Sequence, residues 1–147
     1  MDTNITMHFT IEELCASKTA DKLGIANKPN TQQIINLVYL TAYVLEPLRL
    51  AMNEPITISS GFRCQLLNQK VGGVRNSQHL KGQAADICIK GDLNKGKKYF
   101  DYIRYHLPFD QLIWEHDKNG TYWVHVSYVY RDFGKNRHQV IDNLEKR

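Results

Sequence analysis

The sequence predicts an α+β domain, a small antiparallel sheet with flanking helices. Three observations predict it. Apolar residues at helical spacing fill the stretch from Thr31 to about Met52. Short strand-like runs begin at Pro55. The last two runs flank Asp117-Lys118-Asn119-Gly120, a strong hairpin signal. Helices come first and mixed strands follow, so alternating βαβ units and a parallel sheet are not expected.

The elements follow in order. Thr10-Ile11-Glu12-Glu13 reads as a capping box: the Thr10 hydroxyl accepts from the Glu13 N–H, and the Glu13 side chain reaches back. The loop around Gly24 and Pro29 ends that short helix. Ile34, Ile35, Val38, Ala42 and Leu45 mark the next helix, in which Pro47 lacks a backbone donor and predicts a kink or a break near Glu46. Pro55-Ile56-Thr57-Ile58-Ser59 reads as a strand. Ser60 to Leu80 is too polar for core and too long for a turn, which marks a functional loop with a helical turn near Leu66 to Gln69. Gln83 to Ile89 is a second strand, and Asp92 or Asn94 caps a helix that buries Tyr99, Phe100, Ile103 and Leu107. Gln111 to His116 and Tyr122 to Tyr128 are the hairpin strands, and the charged tail 131–147 carries no defined element.

A chain of 147 residues predicts one domain with one main core, spanning 1–147. With 42% hydrophobic and 23% charged residues, disordered and low-complexity classes are excluded. No apolar run of about 18 residues is present, so no transmembrane segment is expected. The first twenty residues carry Asp2, Glu12 and Glu13 and no apolar stretch, so no signal peptide is visible and synthesis in the cytoplasm is expected. A net charge of +4 is compatible with an anionic partner such as cell wall. The basic residues are scattered and form no recognition motif, so a nucleic-acid role is not expected, and a monomer is. Cys15, Cys64 and Cys88 form no CxxC pair, and reduced, mostly buried thiols are expected.

The chemistry concentrates in two segments. Zinc in a hydrolase takes three protein ligands from His, Asp, Glu or Cys and leaves a position for water. His79 ends the polar loop, Asp86 lies within an apolar strand, and His125 lies within Trp123-Val124-His125-Val126-Ser127. A carboxylate buried in a strand needs a charge partner, which a divalent metal would supply. By residue type alone a strand His is as readily a satisfied core or surface residue, and the His79–Asp86 spacing matches no general ligand pattern. His8, His106, His116 and His138 sit in a terminus, a helix end, a hairpin and a tail, and read as non-ligands.

Ser60-Gly61-Phe62-Arg63, Asn68, Gly72-Gly73, Ser77-x-His79-x-x-Gly82-x-Ala84-x-Asp86 and Trp123-Val124-His125-Val126-Ser127 occur in one order. Together they resemble the zinc D-Ala-D-Ala carboxypeptidase family, which includes phage endolysins, over about residues 9–130. The resemblance implies the small α+β fold shared with the hedgehog signalling domain, and zinc held by His79, Asp86 and His125. It implies that Arg63 holds a substrate carboxylate, for which a guanidinium fork is suited, and that Ser77 helps orient the substrate. A surface salt bridge for Arg63 and a turn hydroxyl for Ser77 are the structural alternatives.

The general base departs from the family pattern. Many members carry an acidic residue two or three positions before the last His, where this chain has Trp123 and Tyr122. Glu115 is the substitute, and hairpin register decides it. A turn with Gly120 left-handed and bulged pairs Asp117 with Thr121 and Glu115 with Trp123, on the face of His125. A two-residue Asn119-Gly120 turn sends Glu115 to the other face, as a solvent-facing strand residue.

The implied activity is zinc-dependent hydrolysis of peptidoglycan stem peptides, like a D-Ala-D-Ala carboxypeptidase. An L-Ala-D-Glu endopeptidase of endolysin type, acting on the cell wall from a phage or prophage, is the first rival. A non-catalytic zinc-stabilised binding domain is the second.

Overall fold

The computed structural model describes residues 3–130 and 134–143. The capping box forms: Thr10 Oγ1 accepts from Glu13 N at 3.1 Å and Glu13 Oε1 accepts from Thr10 N at 2.9 Å, opening α1 (Ile11–Cys15). Ser17 caps α2 (Lys18–Leu23), and Asn30 with Gln33 forms a second reciprocal cap on α3 (Thr31–Leu40).

Of the two outcomes expected at Pro47, a kink or a break near Glu46, the break does not occur. α3 runs through a π-helical segment, Thr41–Leu45, directly into α4 (Glu46–Met52). Within it the Glu46 N–H donates to Thr41 O, five residues back. This wider turn accommodates the Pro47 ring without ending the helix. The run Thr31–Met52 is long and apolar enough to cross a membrane by composition. Its apolarity has another use here: Leu37, Leu40, Val44, Leu45 and Leu48 are fully buried in the core.

Among the described residues the sheet has five strands in the order β1 (Thr57–Ser60), β2 (Ala84–Cys88), β4 (Tyr122–Ser127), β3 (Gln111–His116), β5 (Gln139–Asp142). Between the strands lie α5 (Gln65–Lys70), a 3-10 turn (Gln78–Lys81) and α6 (Leu93–His106), the last capped by Asp92. The expectation of an antiparallel sheet needs correction. β5 pairs with β3 in parallel, Gln111 against Gln139 and Ile113 against Ile141, so the sheet is mixed. β5 lies in the tail that shows no element by sequence; residues 131–133 and 144–147 of that tail are outside the described residues. Non-local bonds hold the strand, among them Gln139 N to Asp110 O at 2.9 Å.

Strand alternation sorts the sheet into two faces. Leu112, Trp114, Val124, Val126, Ala85 and Ile87 join the core with Tyr99, Phe100 and Ile103 of α6 and the apolar side of the long helix. Each Leu, Ile, Val or Phe among them contributes about 1.5–3 kcal/mol on full burial. Asp86, Ile113, Glu115, Trp123 and His125 project on the other face, and that parity puts the polar chemistry outside the core. Leu107 ends α6 half-buried, and the three cysteines are free and half-buried, more exposed than the sequence suggests.

Candidate metal centre

His79, Asp86 and His125 come together. Their donor atoms all lie within 4.8 Å of one another. Asp86 and His125 are direct cross-strand partners on β2 and β4, and His125 Nδ1 lies 2.9 Å from Asp86 Oδ1. His79 reaches the same oxygen from the 3-10 turn, with Nε2 at 3.4 Å.

The turn that carries His79 is pinned from several sides. Ser77 Oγ accepts from His79 N at 3.1 Å and caps the turn. Gln33 Nε2 donates to Leu80 O and Asn36 Nδ2 to Lys81 O, fastening the turn to α3. Gly82 ends it at φ +73, where an added Cβ would stand 2.5 Å from Gln33 O, so only glycine fits both the conformation and the space. His79 Nδ1 lies 2.7 Å from Gly61 O. A carbonyl only accepts, so Nδ1 carries the proton and Nε2 presents its lone pair toward Asp86 and His125.

These donors fit a divalent metal. Among the described residues, buried His79 Nε2 has no hydrogen-bond partner, a costly state for a lone nitrogen unless a ligand takes its lone pair. Donors about 2.0–2.1 Å from a tetrahedral zinc ion stand about 3.3 Å apart, and the two contacts to Asp86 Oδ1 bracket that separation. The backbone carbonyl behind His79 is the outer partner that orients a ligating imidazole. Burial alone would raise the Asp86 pKa, but the two histidines beside it outweigh burial and hold the carboxyl well below the usual carboxylate range.

Arg63 borders the same centre. Its Nε donates to Ser60 Oγ at 3.1 Å and its Nη1 to Asn68 Oδ1 at 2.9 Å, while Nη2 lies 3.7 Å from Asp86 Oδ2. It is therefore fixed inside the site rather than paired on the surface. Ser77 lines the cavity and caps the His79 turn at once.

The hairpin adopts the bulged register. Asp117 N donates to Thr121 O, Gly120 has φ +81, and Glu115 pairs with Trp123 while Ile113 pairs with His125. Asp117 Oδ1 accepts from Asn119 N and Thr121 N, both at 2.9 Å, and so ties the turn. Glu115 thus shares a face and a cavity of about 570 Å³ with the metal-type trio, Arg63 and Ser77. Trp123 lines that cavity as well, whereas Trp114 belongs to the core and Tyr128 and Tyr130 stack on Tyr43 and Tyr39. His8 pairs with Glu46, and His138 stacks on Phe109.

Sequence reasoning missed Asp110, Gln78 and Arg137. Arg137 lines the cavity, and Asp110 ties it and Gln78 together. Only the placement of Asp110 between Phe109 and a strand start hints at this, since its partners are far away in the chain.

Two comparisons bear on this geometry. One relative, the zinc D-Ala-D-Ala carboxypeptidase of Streptomyces albus G, is 45% identical over 49 residues, which is 33% of this chain and 19% of that protein. The match therefore spans about a fifth of that protein's length. The model of the family described as Peptidase M15 matches residues 7–127, which include all three metal-type donors, Arg63, Ser77 and Glu115. By this match over most of its length, the chain belongs to the peptidase M15 family.

Proposed function

We propose that this protein is a zinc-dependent peptidase that hydrolyses peptidoglycan stem peptides, working as a monomer at the cell wall in the manner of a D-Ala-D-Ala carboxypeptidase. The observation that carries the proposal is the convergence of His79, Asp86 and His125 on one point beside a carboxylate of the same sheet face. The element order supports a fold of the hedgehog and DD-peptidase type.

In this reading His79, Asp86 and His125 would hold the ion. When bound, zinc supplies a Lewis acid for the scissile carbonyl and a water acidified to a pKa of about 7. Glu115 takes a proton from the attacking water and returns it to the leaving amine. Arg63, braced by Ser60 and Asn68, binds a substrate carboxylate with its remaining N–H groups. Ser77 orients the peptide from the cavity wall and keeps the His79 turn in place. Glu115 on the wall of the same cavity supports a catalytic role over a merely zinc-stabilised domain.

One observation favours the second enzymatic reading, an L-Ala-D-Glu endopeptidase like those of phage or prophage lysins. A cavity of about 690 Å³ on the β1 side shares Arg63, Val71, Asp86 and Trp123 with the cavity of about 570 Å³ that holds Glu115. A peptide extending to both sides of the cut bond has room there.

The test is metal content together with hydrolysis of defined muropeptides, for wild type and His125→Ala. The expected result is about one zinc per wild-type chain with cleavage, and loss of both in the variant. Product masses identify the bond. A wild type that stays folded and active with no metal bound overturns the proposal.

A further inference from the structure

Asp110 is 2% exposed, and a buried carboxylate is costly unless its oxygens are satisfied. It accepts from Arg137 N at 2.8 Å, from Arg137 Nε at 3.1 Å, from Arg137 Nη2 at 2.7 Å and from Gln78 Nε2 at 3.1 Å. Gln78 precedes the proposed ligand His79. Arg137 lies beyond residues 7–127, the part matched by the family model.

A tethering arginine has no need to be exposed, yet the Arg137 side chain is 58% exposed. It borders the cavity that also holds His79, Asp86, His125 and Glu115. The guanidinium is planar, and Asp110 uses its Nε–Nη2 edge. The Nη1–Nη2 edge remains, and among the described residues Nη1 has no partner. That edge offers two parallel N–H groups, the geometry that a carboxylate accepts bidentately. Asp110 fixes the fork in one orientation, so little side-chain freedom is lost when an anion docks. Arg63 borders both cavities beside the metal-type trio, whereas Arg137 borders only the second.

We infer that Arg137 is a specificity-determining residue that recognises a second carboxylate of the substrate, so that the preferred stem peptide carries one carboxylate for Arg63 and another in the cavity of Glu115. The inference rests on the reading of this cleft as a peptidase site. It assigns to the C-terminal segment a part of the substrate cleft that the family-matched region does not supply.

The experiment compares pairs of synthetic stem peptides that differ only in whether one carboxylate is free or amidated, scanning each carboxylate in turn. Beside the pair that alters the carboxylate bound by Arg63, one further pair is expected to show a wild-type preference for the free acid of about 10- to 100-fold in kcat/KM, the range of one charge-assisted hydrogen-bonded contact. Arg137→Gln brings that ratio close to one, chiefly through KM for the acidic peptide, and Arg137→Lys retains part of it. Hydrogen exchange at the Gln139 amide reports whether β5 stays docked in each variant. If Arg137→Gln slows both peptides equally, Arg137 is only a tether and the inference falls. If the wild type cleaves every pair without preference, the carboxylate assignments of Arg137 and Arg63 fall and the zinc-peptidase reading stands. If the wild type cleaves none of the peptides, both fall together.

Discussion

Glu115 pairs with Trp123 across the β3–β4 ladder, one diagonal step from His125 on the same face. In the proposed mechanism this carboxylate is the general base. Glu115→Gln keeps the shape and removes the base, so kcat is expected to fall by about 10²–10⁴-fold. Zinc content should match that of the wild type. A variant with normal zinc and unchanged turnover removes Glu115 from the mechanism.

The register behind that pairing depends on Gly120, whose φ is +81 and around which a Cβ would meet nothing within 4 Å. A substitution there is penalised by backbone conformation alone. Gly120→Ala is expected to destabilise the fold by about 1 kcal/mol, read as a lower urea midpoint with an unchanged slope. No change would mean that the hairpin does not need the left-handed residue.

Arg63 is aimed by its neighbours. Asn68 Oδ1 accepts from Nη1, and Asn68 Nδ2 donates to Val74 O at 2.9 Å, so one buried amide holds both the guanidinium and the cavity loop. Asn68→Ala is expected to raise KM by about tenfold with a smaller effect on kcat, as expected for loss of a charge-assisted hydrogen bond. Equal losses in kcat and kcat/KM, with KM unchanged, would contradict a ground-state positioning role.

Asp110 sets an acid limit on the C-terminal segment. Burial pushes its pKa up, but hydrogen bonds and charge from Arg137 outweigh burial and lower it overall. A depressed folded pKa means that the unfolded chain binds the proton first as pH falls. Stability from this pair is therefore complete above the unfolded carboxyl value, near about 4, and is lost as pH drops through the lower folded value. Asp110→Asn should flatten the acid limb of the stability profile and weaken exchange protection at Gln139. An acid limb as steep as that of the wild type would show that other carboxylates dominate.

Much of this was legible locally. Thr10 and Glu13 form their box within four residues, and Asp117 to Gly120 marks the hairpin, but the turn sequence allows two registers and only the folded ladder selects the bulged one. The trio was legible only as a family pattern, because the His79–Asp86 spacing has no general meaning until the 3-10 turn folds back over β2. What stayed hidden depends on distant partners. Gln139-Val140-Ile141-Asp142 has no strong strand signature, and β3 and Asp110 make it a strand. Pro47 reads as a breaker because the widened turn before it, at Thr41–Leu45, leaves no mark in a 3.6-residue pattern.

The parallel strand β5 has a consequence apart from catalysis. Without it, β3 would border the sheet with the backbone groups of Gln111 to Trp114 open, a template for a second chain to pair against. β5 covers that run and replaces it with a four-residue border at Gln139–Asp142. The C-terminal segment thus takes the border position itself and keeps the hairpin that carries Glu115 and His125 one strand inside the sheet.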